Sequence, residues 1–234
     1  MRGEEFREGL VTSVPIALGY LAVSFAFGIH ATATGLSPIM STIISLTSLS
    51  SSGQFAGVGI MAAVGSYVEL ALAVLTINLR YILMSLSLTQ KLAPMPLWHK
   101  LIIGYAVTDE IYAAAIGRDK DVTRDYYVGL MLLPVLGWTM GTLLGASLGA
   151  LLPQDVVNAL GIALYCMFIA LVVPPARKDR SILRAVLLTA ALSLALAYLP
   201  GVRALSAGWR VILLALAVPA GLAWRDTRAG GTAV

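Results

Sequence analysis

Arg80 stands near the middle of an apolar stretch, Gly65 to Leu88, inside the tetrapeptide Asn78-Leu79-Arg80-Tyr81. A guanidinium does not shed its proton. Near the centre of a membrane span such a charge costs ~3 kcal/mol or more, so it needs a partner or a water-filled cavity. The next apolar stretch, Leu97 to Ile116, carries Asp109 and Glu110 near its own middle. Opposite charges at matching depth on consecutive spans point to a pathway for something polar. Asn78, Tyr81 and Ser85 share one helix face, Arg80, Met84 and Ser87 another, and Tyr105, Asp109 and Tyr112 line a face of the following segment. Two compatible roles follow for Arg80: a structural ion pair with Asp109 or Glu110, and a charge that meets substrate or proton. A protonatable Asp109 or Glu110 is the candidate coupling group. Glu69, near a segment end, is expected to reach interfacial water.

A second polar feature interrupts the stretch Ser37–Val64, whose middle reads Thr47-Ser48-Leu49-Ser50-Ser51-Ser52-Gly53-Gln54. As one helix these residues would span ~42 Å, longer than the ~30 Å hydrocarbon core. The expectation is two half-helices, roughly 37–49 and 52–64, with an unwound joint. Ser51 and Gln54 fit a capping box for the second half. Irregular backbone at membrane depth survives only where protein buries it or water lines it. The other reading is a hydroxyl-rich helix whose serines bond back to their own carbonyls. The joint Ser50, Ser51, Ser52, Gly53 and Gln54, with Asn78, Arg80, Tyr81 and Ser85, makes up the candidate substrate site.

The elements that carry these residues are membrane spans. Only 12% of the chain is charged and its mean hydropathy is +0.87, whereas soluble domains carry about 25% charged residues. The class is all-α: one polytopic transmembrane domain over residues 1–234 with seven or eight segments. Eight apolar segments run about Thr12–Ala31, Ser37–Val64, Ser66–Leu88, Leu97–Gly117, Tyr126–Leu152, Val156–Val173, Leu183–Leu199 and Gly208–Trp224. Glu4, Glu5 and Glu8 spoil a signal-peptide n-region, so the first segment reads as a retained span.

Positive charge sets the orientation. With both termini cytoplasmic, eleven bases fall inside and Lys91, Lys100 and Arg203 outside. If the second segment is re-entrant, seven segments span, the N-terminus moves outside and the count becomes nine against five. The C-terminus is cytoplasmic in both cases. A weak internal repeat relates 9–65 to 129–175: Gly9-Leu10, Pro15 and Gly19 answer to Gly129-Leu130, Pro134 and Gly137. The repeat is parallel with eight full spans and inverted with a re-entrant second segment, as in many secondary transporters.

Several other features are structural or exclude functions. Gly137, Gly141, Gly145 and Gly149 recur every fourth residue, a groove for another helix or, less directly, a thin wall beside a substrate path. Gly145-Ala146-Ser147-Leu148-Gly149 matches the hydrolase nucleophile elbow in letters only, since it lies inside an apolar helix and has no histidine partner. The single Cys166 makes neither an intrachain disulfide nor a metal cage and reads as a core thiol. No phosphate loop or metal spacing occurs, so no cofactor is expected, and the scattered bases offer no nucleic-acid stripe.

The runs Gly53-Gln54-Phe55-Ala56, Asn78-Leu79-Arg80-Tyr81 with Met84-Ser85, and Thr108-Asp109-Glu110, in that order and spacing, resemble the AzlC family of branched-chain amino acid permeases. The resemblance extends from the first span to the last. It implies export of valine, leucine, isoleucine and related neutral amino acids across the bacterial inner membrane, and a small membrane partner of the AzlD type. The expected protein is therefore a gradient-driven secondary exporter embedded in lipid, not an enzyme. The alternatives are a transporter or channel for another small polar solute, or an intramembrane enzyme.

Overall fold

The computed structural model describes residues 2–153, 176–198 and 206–228, with scattered positions between 155 and 174. The described residues form helices: α1 (Arg2–Ala33), α2 (Pro38–Ser48), α3 (Ser51–Ala62), α4 (Tyr67–Thr89), α5 (Leu97–Tyr105), α6 (Asp109–Ile116), α7 (Arg124–Leu148), α8 (Arg180–Tyr198) and α9 (Ala207–Arg228). No strand occurs among them; Leu92 and Val122 form an isolated bridge. Among the described residues five helices, α1, α4, α7, α8 and α9, are long and apolar enough to cross a membrane. The fold is all-α and polytopic. The expected sixth segment and its Cys166 lie outside the described residues, apart from scattered positions of the segment.

The chain forms two compact units, Met1–Phe55 with Asn78–Ala163, and Ala56–Ile77 with Leu164–Val234. The first is built on α1 and α7. A Cβ on Gly9, Gly28, Gly129, Gly137, Gly141 or Gly145 would run into main-chain oxygens of the facing helix: Tyr126, Thr142, Phe6, Ala17, Leu21 and Phe25 respectively. The register advances together, Ala17 with Gly137, Leu21 with Gly141, Phe25 with Gly145 and Ile29 with Gly149, so the helices run parallel. The glycine face is therefore occupied by an internal helix, and glycines on both helices let the backbones approach. The hydrolase-like pentapeptide lies at the end of α7, with no strand-to-helix turn.

The segment Leu97–Gly117 is not the single span expected from its hydropathy. It is two helices, α5 and α6, with a break at Ala106–Thr108. At 1.5 Å per residue these reach only ~14 and ~12 Å, too short for a ~30 Å core. The segment also returns to where it began. Lys91 Nζ donates to the main-chain oxygens of Ile116 and Arg118. Val122 N–H donates to Lys91 O at 2.9 Å, and Ala93 N–H to Val122 O at 3.1 Å. This break also means that Tyr105, Asp109 and Tyr112 do not share one continuous helix face.

The same end of the unit holds the start of α1. Arg118, its side chain 5% exposed, donates to Glu8 through Nε at 3.0 Å and Nη2 at 2.8 Å, and to Asp121 O at 2.7 Å. Its guanidinium also covers the Tyr126 ring at 4.1 Å. Lys91, expected opposite Arg118, is beside it, and Lys100 lies in the first turns of α5. At the other end the connections 34–37 and 149–153 carry no Lys or Arg, so within this unit the positive-inside asymmetry is sharper than the sequence count.

The expected break in Ser37–Val64 is present between α2 and α3, where Leu49 takes a left-handed φ of 44°. Without glycine's freedom this conformation costs about 1–2 kcal/mol. α2 starts beyond the C-terminus of α1 and reaches α7, where Ser45 Oγ is 2.6 Å from Thr142 Oγ1. α3 then runs antiparallel to α4: Gly53 faces Asn78, and Gly57 faces Leu70 and Val74. A long helix followed by a broken pair thus occurs twice, as α1 with α2–α3 and as α4 with α5–α6.

In the second unit Ile60, Ala73 and Ile212 pack with Leu70. Glu69 is 5% exposed, accepts a hydrogen bond from Ser206 and faces Gly208. It does not reach interfacial water as expected. The glycine is small enough to admit the carboxylate, and the serine replaces water as its donor.

Two expectations follow. On a Cys166→Ser background, Ala33→Cys should react with an impermeant maleimide in intact cells, whereas Gln90→Cys and Asp119→Cys should react only after permeabilisation. Labelling of Gln90→Cys on the Ala33 side would refute the returning α5–α6 segment. Gly145→Leu should abolish a monodisperse detergent-extracted species, whereas Gly19→Leu, whose Cβ meets nothing within 4 Å, should leave it unchanged by size-exclusion chromatography.

Candidate functional site

Each broken pair presents the N-terminus of its second helix inside the first unit. Ser50 Oγ caps α3 by accepting Gly53 N–H at 3.2 Å and itself donates to Asn78 Oδ1 at 2.7 Å. The cap is Ser50, not the expected Ser51, and Gln54 does not close a capping box. Thr108 Oγ1 caps α6 by accepting Ile111 N–H at 3.4 Å. Such caps satisfy amides that a helix start leaves without partners. The preceding carbonyls are served by tyrosines. Tyr105 Oη donates to Leu46 O, and Tyr127 Oη to Ala106 O at 3.3 Å.

Arg80 bridges the two helix starts. Its Nη1 is 3.0 Å from Asp109 Oδ2, and its Nη2 donates to Ser52 Oγ and to Tyr81 Oη, both at 3.3 Å. The guanidinium also lies 5.0 Å from the Tyr81 ring centroid. Its Nε is buried with no hydrogen-bond partner among the described residues. Asp109 gains further from the partial positive charge at the start of α6. The side chains of Arg80 and Asp109 stay 36% and 27% exposed, which leaves them open to a solute.

Glu110 does not join this pair. Its Oε2 is 2.6 Å from Tyr20 Oη, which is also 2.6 Å from Thr108 Oγ1. The Tyr20 ring packs edge-on against Trp138 at 5.3 Å. Trp138 Nε1 donates to Gln54 Oε1 at 3.0 Å, Gln54 Nε2 donates to Ser45 Oγ at 3.0 Å, and Ser45 meets Thr142. Gln54 is 3% exposed, so it ties α3 to α7 and is closed to a solute.

The structure thus gathers Ser52, Arg80, Tyr81 and Asp109 in one cluster and Ser50, Gly53 and Asn78 in a second. Gln54 and Glu110 belong to hydrogen-bonded chains that run to α7 and α1. Ser51, in the first turn of α3, is partly exposed. Ser85 lines an open groove with Tyr81, Ile82, Leu86 and Thr89. Tyr20, Ser45, Trp138 and Thr142 were not expected from the sequence, and Thr108 was noted only within the run Thr108-Asp109-Glu110, not as a site residue. The only local signal was at Thr108, a hydroxyl followed by two acids, which is a helix-start pattern.

Residues 15–152 match the model of a protein family described as AzlC protein. The chain is 29% identical over 185 residues to the inner membrane protein YgaZ of Escherichia coli K12, covering 76% of each chain. It is 31% identical over 171 residues to an uncharacterised membrane protein of Archaeoglobus fulgidus, covering 72% of this chain and 75% of the other. No solved structure matches significantly.

Removing one charge from the central pair leaves the other without its counter-ion, a loss of about 3–5 kcal/mol for buried pairs and less here in proportion to exposure. Arg80→Ala should therefore lower yield and melting temperature, and Arg80→Ala with Asp109→Asn should recover both. A parent-like melting curve for Arg80→Ala alone would show that the pair does not hold the fold.

Proposed function

This chain belongs to the AzlC family, whose members are membrane transporters, and from that premise we propose that it is a secondary exporter of branched-chain and related large neutral amino acids. It would work in the bacterial inner membrane with its C-terminus in the cytoplasm and a small membrane subunit of the AzlD type as partner. The observation that carries this reading is the exposed Arg80–Asp109 pair beside the start of α3. A zwitterionic amino acid is the same charge pair in mobile form. Its carboxylate would replace Asp109 against Arg80 and take the helix-start amides of Ser51 and Ser52, where the helix dipole favours an anion. Its ammonium would replace Arg80 against Asp109.

Other candidate residues would act by holding this arrangement. A Cβ on Gly53 would lie 2.8 Å from Ser50 Oγ and 3.2 Å from Asn78 Nδ2, so even Gly53→Ala displaces the cap. Tyr81 and Ser85 would border the path, and Gln54 would fix α3 against α7. A protonatable carboxylate at the head of α6, Asp109 or Glu110, would couple export to a proton gradient.

The test is counterflow of labelled leucine in liposomes, with and without the small subunit. Leucine should exchange, leucinamide should compete poorly because it lacks the carboxylate, and Arg80→Ala/Asp109→Asn should fold without exchanging. Equal competition by leucine and leucinamide would remove the carboxylate site from the mechanism. Full exchange by the chain alone would remove the partner.

A further inference from the structure

We infer that, of the two adjacent carboxylates, Glu110 carries the coupling proton and Tyr20 positions it, an inference that rests on the transport reading above. The charged and titratable groups that face Glu110 are Tyr20 on α1 and Asp109 beside it on α6; behind these stand Tyr81, near Tyr20, and Arg80, paired with Asp109, both on α4. Trp138 on α7 closes the far side of the Tyr20 ring at 5.3 Å. Arg80 supplies the positive charge of this group and is engaged with Asp109 at 3.0 Å. Among the described residues Glu110 makes no ion pair, and its partner is the Tyr20 hydroxyl at 2.6 Å. Arg80 stays charged at any working pH. With both acids ionised the cluster therefore carries a net negative charge, and a proton on Glu110 makes it neutral. That proton also relieves the repulsion between neighbouring carboxylates. Asp109 cannot serve the same purpose while it holds either Arg80 or a substrate ammonium.

The hydroxyls fit both protonation states. Ionised Glu110 accepts from Tyr20, whose oxygen accepts from Thr108 at 2.6 Å. Protonated Glu110 donates to Tyr20 Oη, and the Tyr20 proton turns to Thr108 Oγ1. A hydroxyl both donates and accepts, so Tyr20 keeps a partner on each side, Glu110 and Thr108, in both states. In the step itself a carboxylate oxygen takes one proton from water on the proton-rich side and returns it to water on the other, and no other bond changes. Thr108 also caps α6 at 3.4 Å, so reversing the hydroxyl chain alters the cap at the hairpin break.

The experiment compares leucine counterflow without a pH gradient with leucine accumulation driven by an imposed gradient, in liposomes holding the full chain and any subunit the parent requires. Glu110→Gln should keep exchanging leucine but lose accumulation, and a pH-sensitive dye should register no proton movement. Glu110→Asp should regain accumulation with a displaced pH profile. Tyr20→Phe should displace the profile while exchange persists, which a merely structural role would not do. Asp109→Asn should lose both activities. Gradient-driven accumulation by Glu110→Gln, or loss of exchange together with accumulation, overturns the proposal. A parent that exchanges leucine but ignores the gradient overturns this proposal alone. A parent without exchange overturns the transport reading and this proposal with it.

Discussion

A permanent charge in a low-dielectric slab is the constraint around which the first unit is arranged. Arg80 cannot be neutralised by losing its proton, so the surroundings must supply the opposite charge and the remaining acceptors. Asp109 supplies the charge at 3.0 Å, and the Ser52 and Tyr81 hydroxyls accept two further bonds. Asp109 and Ser52 sit in the first turns of α6 and α3, where a helix start tolerates an anion and exposes amides, while Tyr81 follows Arg80 on α4. The ion pair and the two chain breaks are thus one arrangement: the breaks bring polar groups to the depth where Arg80 lies.

Breaking a helix inside a membrane exposes amides and carbonyls that no lipid can bond. Both breaks solve this with the same chemistry. A hydroxyl caps the second helix, Ser50 in one and Thr108 in the other, and a tyrosine from elsewhere serves a carbonyl on the first. Tyr105 belongs to α5 yet bonds the α2 carbonyl of Leu46, so the first broken pair depends on the second, and the second on α7 through Tyr127. Individual bonds of this kind average ~0.6 kcal/mol between membrane helices. Their value lies in serving an amide and a carbonyl at each break, which helps to fix the positions of Arg80, Asp109 and Glu110.

Much of this was legible in the chain because it is written in local chemistry. Long apolar runs mark α1, α4 and α7, a serine-rich interior marks the break at Leu49, and lone opposite charges at one depth mark Arg80 and Asp109. The break at Ala106–Thr108 was hidden because Tyr105-Ala106-Val107 continues the apolar pattern, and hydropathy does not register backbone direction. Missing it reversed the side assigned to Lys91. The four-residue glycine spacing named a face of α7 but not its occupant. Ser45, Trp138 and Thr142 carried no signal, because one polar group in an apolar helix looks the same whether it bonds its own turn or a residue 97 positions away, as Ser45 and Thr142 do.

The parallel fit of α1 against α7 has a consequence for biogenesis. These helices share main-chain contact along their length, yet about 90 residues separate the end of one from the start of the other. At the ribosome's pace of ~5–20 residues per second, α1 waits roughly 5–20 s for its mate. During that interval α2–α3 and α5–α6 emerge with their polar breaks, and neither has the helix that later satisfies Gln54 or Ala106. Insertion one span at a time cannot hold such segments in lipid. The nascent chain must keep them in the translocon or at the water interface until α7 arrives, so assembly of this protein is governed by its seventh helix rather than its first.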